Sequence, residues 1–182
     1  MTENWVVLDE TELLRHGGRI TVTTQHVRLP DGREVPDFLR FATQSFACIF
    51  ARLPDGRVIC ERQYKHGAGR VILTLPAGSQ EADEPPLQTA QRELLEETGH
   101  ESADWTSLGS ATTHANAGGG TCHMFLARDC RKVAEPDSGD LETMSLEFLE
   151  LSELLRVLRE GGMPLLSDSS TVLNALMAEG AL

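Results

Sequence analysis

Strand-like runs dominate the first half of the chain, and turn residues separate them. RITVTTQHV and REVPDFLRFA flank one copy of RLPDG, Arg28–Gly32, while SFACIFA and RVICERQY flank another, Arg52–Gly56. Proline presets the first turn residue and glycine accepts a positive φ, so each copy predicts a β-hairpin. Two copies that turn chemistry explains do not make a repeat architecture. RVILTLPAG predicts a further strand ending in a Pro-Ala-Gly turn, and the polar SQEADEPP follows it. The apolar spacing then becomes helical. Leu87, Ala90, Leu94 and Thr98 form a stripe that predicts a helix over 86–98, begun by Pro86 and stopped by Gly99. The glutamates of QRELLEETGH are expected on or beside the opposite face.

Downstream, WTSLGSATTH, TCHMFLAR and TMSLEFLEL predict strands, ANAGGG a flexible loop and DCRKVAEPDSGD an acidic one. Ser152 predicts the cap of a helix over 153–160, closed by Gly161 and Gly162. A last helix is expected from Ser167 or Asp168, turning Val172, Leu173, Leu176 and Met177 inward. Mostly antiparallel strands with helices interposed give an α+β class with α-β-α layering, and no linker divides the chain.

A length of 182 residues suffices for one domain with a substantial core. The formal net charge of -12 repels nucleic-acid backbones and anionic membranes, so neither is expected as a partner. A phosphorylated substrate on such a surface needs cations or local basic groups. No run approaches the length of a membrane span, and MTENWVVLDE lacks the basic start and apolar run of a signal peptide. A cytoplasmic location is the resulting expectation. Cys48, Cys60, Cys122 and Cys130 form no CxxC pair and no zinc spacing; Cys48 and Cys60 sit in apolar runs and are expected to be buried thiols.

Glu93, Glu96 and Glu97 crowd one helical face, where like charges repel by a few tenths of a kcal/mol per pair. Carboxylate oxygens suit hard cations such as Mg²⁺ and Mn²⁺, and a bound ion reverses that repulsion. Alone, the cluster reads as a solvated face with Arg92 and Glu96 as an i,i+4 pair. The wider spacing decides between them: Gly78, five residues, Glu84, seven residues, then Arg92-Glu93-Leu94-x-Glu96-Glu97-x-Gly99. This resembles the signature of the Nudix hydrolases, GX5EX7REUXEEXGU, at every specified position but the last, where His100 replaces a bulky apolar residue.

The resemblance implies the Nudix fold, an α-β-α sandwich around a mixed sheet, with the motif forming a loop, a helix and a loop. It implies hydrolysis of a nucleoside diphosphate linked to another moiety, with divalent ions lowering the pKa of an attacking water. Glu93 and Glu97 match the family's main metal ligands and Glu96 a frequent additional one. Arg92 would orient a glutamate, Gly78 permits the turn, Glu84 helps hold the loop and Gly99 ends the helix. RQYKHGAGRVILTLPAG is similar to the segment before the box in ADP-ribose pyrophosphatases and related nucleoside diphosphate sugar hydrolases, close to QYR and then ELPAG. Gln63, Tyr64, Leu75, Pro76, Ala77 and Gly78 match, whereas Lys65 replaces an arginine and Thr74 a glutamate. In that subgroup the carbonyl at the Ala77 position is a metal ligand. Lys65 and Arg70 are candidates for phosphate, although lysine lacks bidentate geometry.

Past the box, THANAGGGTCH has no proline where many ADP-ribose pyrophosphatases carry one. Asn116 and Gly118 are candidates for substrate contact, since glycine lets backbone approach closely; a plain hairpin loop is the other reading. The catalytic base of the subgroup is a glutamate on a late acidic loop. EPDSGDLETMSLEFLEL aligns with it, placing the role on Glu142, with Asp140 next and Glu135 and Asp137 behind. By the same resemblance, 1–42 is an N-terminal antiparallel extension that pairs with a second subunit and completes the nucleotide site, and 43–182 is the Nudix domain. The expected partners are therefore a nucleotide-sugar substrate and a second copy of the chain.

Overall fold

A computed structural model of the chain describes residues 4–137, 139 and 144–181. The strands of the first half are β1 (Val6–His16), β2 (Ile20–Arg28), β3 (Glu34–Thr43), β4 (Phe46–Ala51), β5 (Val58–Lys65), β6 (Arg70–Thr74) and β7 (Ala77–Ser79). Helix α1 spans Pro86–Thr98. After it come β8 (His100–Glu101), β9 (Asp104–His114), β10 (Gly118–Arg128), β11 (Arg131–Lys132) and β12 (Met144–Leu149). Helices α2 (Leu151–Arg159) and α3 (Leu166–Ala178) close the chain. The chain forms two compact units, one from Met1–Ser45 with Ala111–Thr121 and one from Phe46–Ser110 with Cys122–Leu182.

The first unit is an antiparallel meander. β1 pairs with β2, and β2 pairs with β3 across the turn at RLPDG. This hairpin is the one the turn chemistry predicts. β1 was not marked by the apolar pattern, and all eleven of its residues are exposed, Val6, Val7, Leu13 and Leu14 among them.

In the second unit the second RLPDG turn forms, with Gly56 N–H donating to the Leu53 carbonyl at 2.9 Å, but the hairpin it closes is only one antiparallel bridge long, Arg52 to Val58, before β4 and β5 part. β4 pairs with β10 in parallel and with β7 antiparallel, whereas β5 pairs with β6 and β12. Burial explains the parting. From Ala47 to Ala51 every residue of β4 is fully buried, so β4 belongs in the middle of a covered sheet. Its alternate side chains serve two cores. Cys48 and Phe50 pack with Leu154 of α2 and Val172 and Leu176 of α3; Ala47 and Ile49 pack with Ala90 and Leu94 of α1. Helices thus cover both faces, the α-β-α layering expected. All four cysteines are buried free thiols.

Several local expectations need correction. Leu87 is exposed and not part of the buried stripe of α1, and Ser152 lies within α2, whose cap position is Glu150. Leu173 and Met177 are 46% and 57% exposed, because α3 turns Asp168, Thr171, Val172, Ala175 and Leu176 inward instead. Glu97 does not share the solvent side of α1; it is buried beside Thr98. The first glycines of ANAGGG are strand: Gly118 opens β10 and lies opposite Phe41 in parallel.

Candidate active site

Helix α1 is set at both ends by the residues that read as its punctuation. Pro86 occupies its first turn, and Gly99, at φ 70°, donates its N–H to the Leu95 carbonyl. A Cβ on Gly99 would stand 2.2 Å from the Ala134 carbonyl oxygen, so both conformation and space require glycine. His100, the departure from the motif, is buried. Its Nδ1 lies 2.7 Å from the Thr98 carbonyl, its ring meets Phe148, and burial lowers its pKa. It therefore packs as a neutral ring where an apolar residue is usual.

Arg92 organises the outer part of the site. Its Nε and Nη2 each donate to the Glu84 carboxylate at 3.0 Å; its Nη1 donates to Glu93 at 2.7 Å and Glu96 at 3.1 Å. Nη2 also reaches the Ser79 carbonyl, tying helix to loop. Glu84 further accepts from the Glu81 N–H and the Thr89 hydroxyl. Those donors, Arg92 first, hold the Glu84 carboxyl down at about 2. Glu84 is thus a clamp, charged near neutral pH, of the loop that carries Gly78.

Glu97 organises the inner part. It accepts the Ala77 N–H at 2.8 Å and lies within hydrogen-bonding reach of Glu61 on β5. Burial, then the charge of Glu61, push its pKa well up, with Glu93 adding to them. Gly78 makes room beside it: a Cβ there would sit 1.9 Å from the Glu93 Cδ. Lys65, Ala77, Gly78, Glu93, Glu96 and Glu97 line one cavity of about 330 Å³, with Ser79 and Arg92 at its wall.

These groups fit a divalent cation. The donors are hard carboxylate oxygens, the glycine leaves a cradle that any side chain would fill, and two buried carboxyls in contact call for a proton or a cation between them. Among the described residues no three His, Cys, Asp or Glu side chains form a closed cage, and Glu93 leans toward Arg92.

Other candidates fall elsewhere. Arg70 donates to the Gly161 carbonyl and does not line this cavity. Asn116 belongs to the first unit, where it borders a cavity of about 600 Å³ with Trp5, Phe38 and Arg40. Trp5 and Phe38 meet there edge to face, 5.3 Å between centroids. At Gly118, φ is 103° and a Cβ would stand 2.6 Å from the Phe41 carbonyl oxygen, so the close approach it permits is to this chain's own strand. Glu142 and Asp140 lie outside the described residues. Glu135 pairs with Lys132, and the Asp137 N–H donates to the Glu96 carbonyl.

Reading the motif missed Glu61. Its signal was a charged residue in RVICERQY at a position sharing a face with Ile59 and Gln63, both buried. Asp168 was also missed as a buried carboxyl: burial raises it to about 7, and the Cys48 thiol lies 3.5 Å away.

The NUDIX domain profile matches residues 42–167. The chain is 30% identical to an ADP-ribose pyrophosphatase of Mycobacterium tuberculosis over 83% of its own length and 73% of the relative's. It is 29% identical to an ADP-ribose pyrophosphatase of Bacillus subtilis, over 79% and 75% of the two chains. A methanol dehydrogenase activator of Bacillus methanolicus is 28% identical over 90% and 87%. Among solved structures, an ADP compounds hydrolase superposes with a TM-score of 0.83 over 100% of this chain and 99% of its own, at 17% identity, a likeness of fold.

Proposed function

We propose, from the premise that the chain belongs to the Nudix family of pyrophosphohydrolases, that it hydrolyses the diphosphate of ADP-ribose or a related nucleoside diphosphate sugar. Water attacks one phosphorus, the bridging P–O bond breaks, and a nucleoside monophosphate and a sugar phosphate leave. The observation that carries this reading is the convergence of Lys65, Ala77, Glu93, Glu96 and Glu97 on one cavity. When bound, a divalent ion, Mg²⁺ or Mn²⁺, neutralises the diphosphate and lowers the pKa of the attacking water.

The chain's own residues supply the rest. Glu93, Glu96 and Glu97, with the Ala77 carbonyl, would hold the ion. Arg92, anchored by Glu84, whose charge does not titrate near neutrality, donates directly to Glu93 and Glu96 and keeps them in place. Lys65 offers a positive charge to a phosphate oxygen from the same cavity. Glu142, on the acidic loop, takes the proton of the attacking water. The region 1–42 joins a second copy of the chain and serves the nucleoside end of the substrate, and 43–182 carries the chemistry. The exposed strand β1 and the Trp5–Phe38 pair support that division.

A substrate panel tests this. The protein is incubated with Mg²⁺ or Mn²⁺ and ADP-ribose, GDP-mannose, UDP-glucose, NADH or Ap4A, and monophosphate release is measured. Turnover of a diphosphate sugar ahead of NADH and Ap4A is expected. Turnover of no diphosphate sugar would refute the assignment.

A further inference from the structure

Strand pairing brings against Glu97, behind the cavity wall, a carboxylate that the helix motif does not contain. Glu61 is fully buried on β5 and stands directly opposite Thr74 on β6. Opposed residues of an antiparallel pair point to the same face. The two share a partner, for the Gln63 amide nitrogen lies 3.0 Å from Glu61 Oε2 and 3.0 Å from Thr74 Oγ1. Glu61 in turn meets Glu97, which the Ala77 N–H fixes from the loop side.

Position 74 is where this chain departs from the ELPAG pattern: the glutamate is a threonine. The register shows that a carboxylate has not been lost but stands one strand across, on the same face of the same pair. Keeping it there is costly. A buried carboxylate needs a partner, and a second carboxylate against it raises the cost. On one side the face is apolar, for Ile59, next on the same side of β5, packs against Ala90 and Leu94 of α1, while Gln63 and Thr74 on the other side are neutral polar groups that a neutral partner would satisfy equally. A structural filler at 61 has no need of charge.

We infer that Glu61 is an additional oxygen ligand of the divalent ion. It closes on the ion from the sheet while Glu97 closes from the helix, and so supplies from β5 the carboxylate missing at 74. This rests on the metal-dependent reading above.

Mn²⁺ alone is the probe, titrated into the full chain and followed by electron paramagnetic resonance. Glu61→Gln is expected to weaken Mn²⁺ binding by about 10–100-fold. Its unfolding midpoint without metal is expected to equal or exceed the wild type's, because a like-charge contact is gone. Glu61→Gln with Thr74→Glu is expected to recover most of the affinity. Glu61→Asp, which keeps the charge but withdraws the oxygens, is expected to bind more weakly than wild type and guards against a Glu61→Gln chain that does not fold. Binding by folded Glu61→Gln or Glu61→Asp within about threefold of wild type would overturn the inference and leave Glu61 a packing role. A wild type that binds no Mn²⁺ would overturn the metal-dependent reading as well.

Discussion

Arg92 and Glu97 divide the labour of the site between charge and burial. Arg92 donates to the carboxylates of Glu84, Glu93 and Glu96, and its charge holds the Glu84 carboxyl well below the usual range. Glu97 is buried against Glu61, with Glu93 nearby, and burial first and those charges next push its pKa well up. Glu84 has a folded pKa near 2 against an ordinary 4.5, so the folded state binds its proton less readily than the unfolded chain does. Its contribution to stability is complete above about 4.5 and disappears as pH falls toward 2. In urea titrations, wild type and Glu84→Gln are therefore expected to differ near neutrality, by about 1–3 kcal/mol, and to converge at the acid end. A difference that does not change with pH would show that Arg92 does not hold Glu84 as described.

At the scale of elements, strand β1 is the one without an explanation inside its own unit. It buries no residue, yet it shows Val6, Val7, Leu13 and Leu14 to solvent. Exposed apolar edge strands are templates for pairing with another chain. Sedimentation equilibrium is expected to give a dimer for the wild type and a monomer for Val7→Lys with Leu13→Lys. A monomeric wild type, or a dimer that survives both lysines, would remove β1 from the interface. The legibility of the elements follows the same physics. Helix α1 was readable because Pro86, Gly99 and a stripe at helical spacing are local signals. β1 was not, because pairing with β2 is a tertiary event that leaves no apolar alternation. The second RLPDG was readable as a turn but not as the parting of two sheets, since only the burial of β4 on both faces decides where its partners lie.

At the scale of the whole molecule, a chain of net charge -12 could take the polyanionic substrate proposed for it only through what its cavity gathers. Most of that cavity was legible: Gly78, Glu93, Glu96 and Glu97 come from one motif, and spacing alone brings them together. Glu61, behind its wall, was not legible, because its place depends on the register of β5 against β6. The most direct measurement is the initial rate of AMP release from ADP-ribose with Mg²⁺, for wild type and for Glu97→Gln, with folding checked by circular dichroism. The expected result is a fall of about 100-fold or more in kcat with the fold intact. A folded Glu97→Gln that releases AMP at the wild-type rate would contradict it.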